Sequence, residues 1–125
     1  MPLIHYAVLC LALATGPIAA QGMARIVVQH SPVAGFKYYD GKASWDEIKV
    51  GDPLTLVREA DNPHDANAIR IEWNGRKLGY VPRRENVHLA RQMDLGAAVE
   101  GRITGLHKSR NGSSRVSYEI SVPLR

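Results

Sequence analysis

Residues 57–71 restrict the fold more than any other part of this 125-residue chain. Leu54-Thr55-Leu56-Val57 leads in as an apolar strand, and Ala68-Ile69-Arg70-Ile71 leads out in alternation. Between them, four Asp or Asn residues fall in the seven positions from Asp61 to Asn67. Such short side chains bond to backbone two residues on, and Pro63 fixes its own φ, so the stretch is a long turn joining two strands. Asp61 and Asn67 are expected to hold it through side-chain to backbone bonds. Ile69, Ile71 and Trp73 alternate with Arg70 and Glu72, and Asn74-Gly75 then gives the dipeptide best suited to a two-residue hairpin. Lys77-Leu78-Gly79-Tyr80-Val81 is its returning partner.

The flanks add short elements of the same kind. Ile26-Val27-Val28 is a first strand, and Phe36-Lys37-Tyr38-Tyr39 is an aromatic strand closed by Asp40-Gly41. Ala43 to Ile48 forms one or two helical turns, with Trp45 and Ile48 toward the core and Gly51-Asp52-Pro53 as the stop. Pro82 and Arg83-Arg84-Glu85 open the one clear helix, in which Val87, Ala90 and Met93 recur on one face until Gly96 ends it. The last strands run from Val99 to Leu106 and from Val116 to Val122, with Val116, Tyr118, Ile120 and Val122 on one side. A basic hairpin loop, Lys108 to Arg115, joins them. Some six short strands and close turns predict a mainly β chain: a small antiparallel barrel with one clear helix and a short second one.

Residues 1–20 differ in character. The apolar run from Leu3 to Ala14 gives way to Gly16-Pro17 and Ile18-Ala19-Ala20, the pattern of a signal peptide cleaved after Ala20. The run is too short for a membrane span. Export to the periplasm or medium is therefore expected, with a cytoplasmic protein as the alternative if translation starts at Met23. Cys10, the only cysteine, lies in this leader, so the mature chain has no disulfide, thiolate metal site or cysteine nucleophile.

Enzyme chemistry finds no footing. There is no G-x-S-x-G elbow and no Gly-rich phosphate loop followed by Lys and Ser/Thr. Asp61, His64 and Asp65 fit no metal spacing, because Pro63 stands where an EF-hand ligand belongs. No catalytic residue, metal or cofactor is expected. A net charge of +4 and a pI near 9.5 suit a polyanionic partner.

Three segments together resemble the HIRAN domain: Ala34-Gly35-Phe36-Lys37-Tyr38-Tyr39, the Arg58-Glu59 to Ile69 core containing Asp61-Asn62-Pro63, Asp65 and Asn67-Ala68, and Leu78-Gly79-Tyr80-Val81-Pro82. That module occurs in some DNA-repair helicases and as a standalone bacterial protein, and here would occupy residues 25–125. The resemblance implies an OB-like barrel that grips the 3′ end of single-stranded DNA. Any acid-anhydride hydrolase activity would belong to the helicase hosts.

By the same resemblance Lys37, Tyr38 and Tyr39 are the basic-aromatic segment, with one tyrosine in the core and Tyr38 the better candidate for exposure. Asn62, His64 and Asp65 form the turn that embraces the terminal nucleotide, His64 standing where the family has a larger aromatic. Arg83 matches a phosphate-binding position, or else only solvates the helix start beside Glu85. The expectation is a monomeric, non-catalytic module for single-stranded DNA or another polyanion. The alternative is an exported interaction domain using the same groove for a protein or other anionic ligand.

Overall fold

The computed structural model describes residues 24–124, so the leader read over residues 1–20 lies outside the described residues. The strands are β1 (Arg25–Pro32), β2 (Pro53–Glu59), β3 (Ala68–Trp73), β4 (Arg76–Tyr80), β5 (Glu100–Lys108) and β6 (Ser114–Pro123). Helix α1 (Gly41–Ser44) lies between β1 and β2, and α2 (Asn86–Asp94) between β4 and β5. Every strand pair is antiparallel, in the spatial order β1-β6-β5-β2-β3-β4.

β2 carries the sheet around its bend. Pro53 and Leu54 pair with Arg102 and Gly101 of β5, while Thr55 to Glu59 pair with β3. The two ends of the sheet meet just beyond β1, where the Ala34 N–H donates to the Tyr80 carbonyl at 2.8 Å and the Tyr80 N–H to the Ala34 carbonyl at 3.0 Å. This single bridge closes the sheet into the expected OB-like barrel. Gly79 makes the closure sterically feasible: a Cβ there would collide with the Ala34 carbonyl oxygen and lie 2.7 Å from the Val33 side chain.

Alternation builds the core. Ile69, Ile71, Leu78, Ile103, Val116, Tyr118 and Ile120 are completely or almost completely buried, whereas Arg70 and Glu72 on the outer face of β3 pair with each other. Asn74 and Gly75 adopt positive φ values of 48° and 80°, the hairpin geometry their identity predicts.

Four local expectations are corrected. Phe36–Tyr38 is a 3-10 turn rather than a strand, held by Tyr38 N–H to the Gly35 carbonyl and Tyr39 N–H to the Phe36 carbonyl. Its core residue is Phe36, which meets Trp45 edge-on at 5.9 Å, so neither tyrosine is buried. The short helix comes earlier than predicted, at Gly41–Ser44, although Ile48 is buried and Trp45 packs on the core.

Helix α2 departs from its expected inward face at one position. Leu89 and Ala90 are buried and Met93 packs on the core as expected, but Val87 is exposed and Asn86 is buried in its place, the helix proper starting at Asn86 after a 3-10 turn over Arg83–Glu85. In β1, the apolar Ile26, Val27 and Val28 form a strand but stay about half exposed, with a bulge between Val27 and Gln29.

Candidate functional site

The long turn is organised by two residues. Asn62 Oδ1 accepts from the backbone N–H groups of His64 and Asp65 at 2.8 and 3.1 Å, and Asp65 Oδ1 accepts from the Asn67 N–H at 2.9 Å. Asp61 and Asn67 supply none of these side-chain bonds, contrary to expectation. An acceptor bonds to N–H groups that follow it, so Asn62 and Asp65 sit where the turn can use them and Asn67, at its end, does not.

Asn62 also ties the turn to the barrel, its amide donating to Glu59 Oε1 at 2.9 Å. Glu59 takes a second bond from the Tyr80 hydroxyl at 2.9 Å and pairs with Arg70. Burial pushes the Glu59 carboxyl up, but the bonds from Asn62, Tyr80 and Arg70 outweigh it and hold the group below the usual carboxylate range. Its neighbour Arg58 is structural as well, bonding the Ala68 carbonyl at 3.1 Å and Asp94 of α2 at 3.0 Å.

Asp65 is fixed from several sides. Besides the Asn67 N–H, its carboxylate receives the Asn86 amide at 2.8 Å and faces the Arg83 guanidinium at 3.6 Å. The Asn67 bond chiefly, with help from Asn86 and Arg83, keeps its carboxyl well below the ordinary value despite partial burial. Arg83 also donates to the His64 carbonyl, while its side chain remains largely exposed. Its partner is Asp65, not Glu85, which accepts from Ser31 Oγ at 2.6 Å.

Two cavities flank the segment Ala34 to Tyr39. The smaller, of about 260 Å³, lies over the turn and is lined by Ala34, Tyr39, Asn62, His64, Asp65, Ala68, Tyr80, Val81 and Arg83. Its aromatic wall is ordered: Tyr39 and Tyr80 meet edge-on at 5.9 Å, and Lys77 Nζ sits 4.1 Å from the Tyr39 ring centre and 4.6 Å from that of Tyr80. The larger cavity, of about 750 Å³, runs between the 3-10 turn and the β5–β6 hairpin.

The seven residues predicted from sequence divide between them. Tyr39, Asn62, His64, Asp65 and Arg83 share the turn pocket, whereas Lys37 and Tyr38 line the larger groove. Tyr38 is 71% exposed, with Lys37 Nζ 5.1 Å from its ring centre. Tyr118, the one aromatic near the last loop, is completely buried and reaches neither cavity.

The sequence reading misses Tyr80, Lys77, Glu59 and Asn86. Tyr80 and Glu59 lie within the segments that resemble the family, and Lys77 just before one of them, so a tyrosine three residues after a lysine, with an acid at the end of the preceding strand, was a usable signal. Asn86 shows as a polar residue one helical turn before Leu89 and Ala90. Among the described residues, no group of three His, Cys, Asp or Glu side chains is placed to hold a metal ion.

Comparison with known proteins places the fold. Residues 26–125 match the family model described as the HIRAN domain. The helicase-like transcription factors of rabbit (Oryctolagus cuniculus) and mouse (Mus musculus) are each 37% identical over 71 residues, which is 55% of this chain and 7% of theirs. The chain thus corresponds to only a small part of those relatives.

Among solved structures, a protein from Lactobacillus plantarum superposes with a TM-score of 0.72 at 28% identity, over 83% of this chain and all of that one. The HIRAN domain of human HLTF superposes with a TM-score of 0.63 at 24% identity, over 82% of this chain and 80% of that one, a likeness of fold. With the family match running through almost every described residue, this chain belongs to the HIRAN domain family.

Proposed function

We propose that this protein is a monomeric, non-catalytic module that binds single-stranded DNA at a free 3′ end, the terminal nucleotide entering the turn pocket. One observation carries the reading. Asp65 is an ionised acceptor, locked by Asn67 and Asn86, in the same small cavity as an exposed Arg83. A 3′-hydroxyl can donate to that carboxylate while the preceding phosphate pairs with Arg83. A 3′-phosphate would bring like charge against Asp65, at a cost on the order of a few kcal/mol at contact distance.

The aromatic wall suits the base. Tyr39 and Tyr80 present ring surface, and His64 adds a smaller exposed ring to the lining. Relatives named as helicase-like transcription factors agree with a nucleic-acid partner.

The test is fluorescence anisotropy with one oligonucleotide carrying either a 3′-hydroxyl or a 3′-phosphate, and with a circular form. The phosphate should weaken binding at least about tenfold, and Asp65→Asn should remove the difference. Equal binding of all three ends by the wild-type protein would defeat the end reading. The alternative, an interaction domain for a protein or other anionic ligand, would then stand. Export is a separate proposal resting on residues 1–20, for which mass spectrometry of the mature protein should find Gln21 first; a start at Met23 would remove it.

A further inference from the structure

The larger groove gathers several cations and no carboxylate around one concave surface. Its lining is Pro32, Val33 and Gly35 to Tyr38, then Lys42, then Asn111 to Arg115, with no Asp or Glu among them. Lys37, Lys42 and Arg115 are all exposed, and none makes an ion pair or side-chain hydrogen bond among the described residues. Elsewhere, Arg25, Arg58, Arg70, Arg76, Arg83 and Arg102 each face a carboxylate, and the other cations without an ion pair among the described residues, such as Arg84 and Arg91, line neither cavity. Cations left unpaired around one concave surface form a binding field for an anion, since no carboxylate lines the groove beside them.

The hairpin side is shaped to receive a chain. Asn111 Oδ1 accepts from the Ser113 N–H at 3.0 Å, and the Ser109 N–H bonds the Ser113 carbonyl at 2.9 Å, which folds the loop back on itself. Ser114 and Arg115 then face the 3-10 turn across the groove. The two cavities abut at the consecutive residues Tyr38 and Tyr39, one in each lining. A turn pocket of about 260 Å³ has room for little more than one nucleotide, whereas OB-type grooves engage about 4 to 16.

We infer that the hairpin groove is the continuation of the nucleic-acid site: it takes the sugar-phosphate backbone of the nucleotides on the 5′ side of the terminal one. The strand leaves the turn pocket over Tyr39, stacks a base on exposed Tyr38 and lays successive phosphates against Lys37, Lys42 and Arg115. These contacts carry no base information, so the groove sets footprint and salt dependence while the turn pocket sets end preference. This inference rests on the end-binding reading.

The two can be separated by oligonucleotide length. A dinucleotide and a decanucleotide of thymidine, both with free 3′-hydroxyls, are titrated against wild-type protein and the double variant Lys42→Gln/Arg115→Gln. The decanucleotide should bind wild type at least about tenfold tighter, and the double variant should lose most of that advantage with the dinucleotide unchanged; its salt slope should fall by about 1.4, the share of two phosphates on a single strand.

Arg91→Gln, on α2 and in the lining of neither cavity, controls for net charge and should leave both affinities nearly unchanged. Thermal melts of each variant confirm folding. Equal affinity for the two lengths, or a double variant that binds the decanucleotide as wild type does, overturns the groove inference while the end reading survives on the dinucleotide. If neither oligonucleotide binds wild type, both fall.

Discussion

The turn pocket and the hairpin groove adjoin, yet they are built on opposite principles. In the pocket the amide and carboxylate groups already have protein partners: Asn62 spans the turn and Glu59, Asp65 is held by Asn67 and Asn86, and Lys77 bonds the Tyr80 hydroxyl at 2.8 Å. In the groove Lys42 and Arg115 have none among the described residues, and Lys37 has only the Tyr38 ring. Preorganised groups select, because a ligand that fits their fixed positions costs no rearrangement and a misfit leaves them unpaired. Unpaired exposed cations attract over a longer range but discriminate little. Selectivity and reach are thus assigned to different residues on one barrel.

The most damaging way to break this division is to open the Ala34–Tyr80 seam, which lies in the turn pocket beside Val33 of the groove. Gly79→Val would force a side chain into the Ala34 carbonyl from a backbone with φ of 153°, and should cost about 3 kcal/mol or more. Chemical denaturation should show it, with binding lost at both cavities together. Retained groove binding would mean that the hairpin side is organised without the closure.

Asn62→Ala strikes the pocket alone. It strips two turn N–H groups and Glu59 of a partner, with an expected loss of about 1 to 3 kcal/mol. Asn67→Ala removes no side-chain bond of the turn and should stay within about 0.5 kcal/mol. Equal denaturation midpoints for the two variants would show that the Asx bonds are not what holds the turn.

Acid should separate the regions further. Folded Asp65 and Glu59 carboxyls sit below their ordinary values, so their stabilising effect is complete above the unfolded-state values, about pH 4 to 4.5, and is lost as pH falls through the lowered folded values. A denaturation series in that window should show a smaller loss for Asn62→Ala, whose Glu59 has already lost one hydrogen bond. The groove variants at Lys42 and Arg115 should follow the wild-type profile. The smallest expected effect is that of Lys37→Gln, which should leave stability within about 0.5 kcal/mol and flatten the salt dependence by about 0.7.

The barrel is legible in sequence wherever one periodicity dominates. β3 and β6 alternate strictly, and Asn74-Gly75 announces its own backbone angles. Legibility fails where a local motif competes with the pattern. Phe36 to Tyr39 has strand composition, but the packing of Phe36 on Trp45 and Gly41 and a left-handed Gly35 convert it into a turn.

That conversion decides the site. In a strand, Tyr38 and Tyr39 would face opposite sides of a sheet; in the turn they reach two neighbouring cavities. The first turn of α2 is misread for a related reason: Asn86, not Val87, is inward, held by Asp65 in a long-range bond that helical periodicity does not encode. Site residues matched to family positions, such as Asp65 and Arg83, could be placed on the chain from sequence. Their supports, Tyr80, Glu59 and Asn86, needed coordinates, since each acts across 21 residues of sequence.

The barrel closes through one isolated bridge, and a hoop with one rivet opens at the rivet. Backbone amides there should exchange with solvent through local openings that cost less than global unfolding. Ala34 and Tyr80 carry that bridge and also line the turn pocket. A bound strand end therefore clamps the joint, and deuterium uptake at these two amides becomes a direct gauge of occupancy.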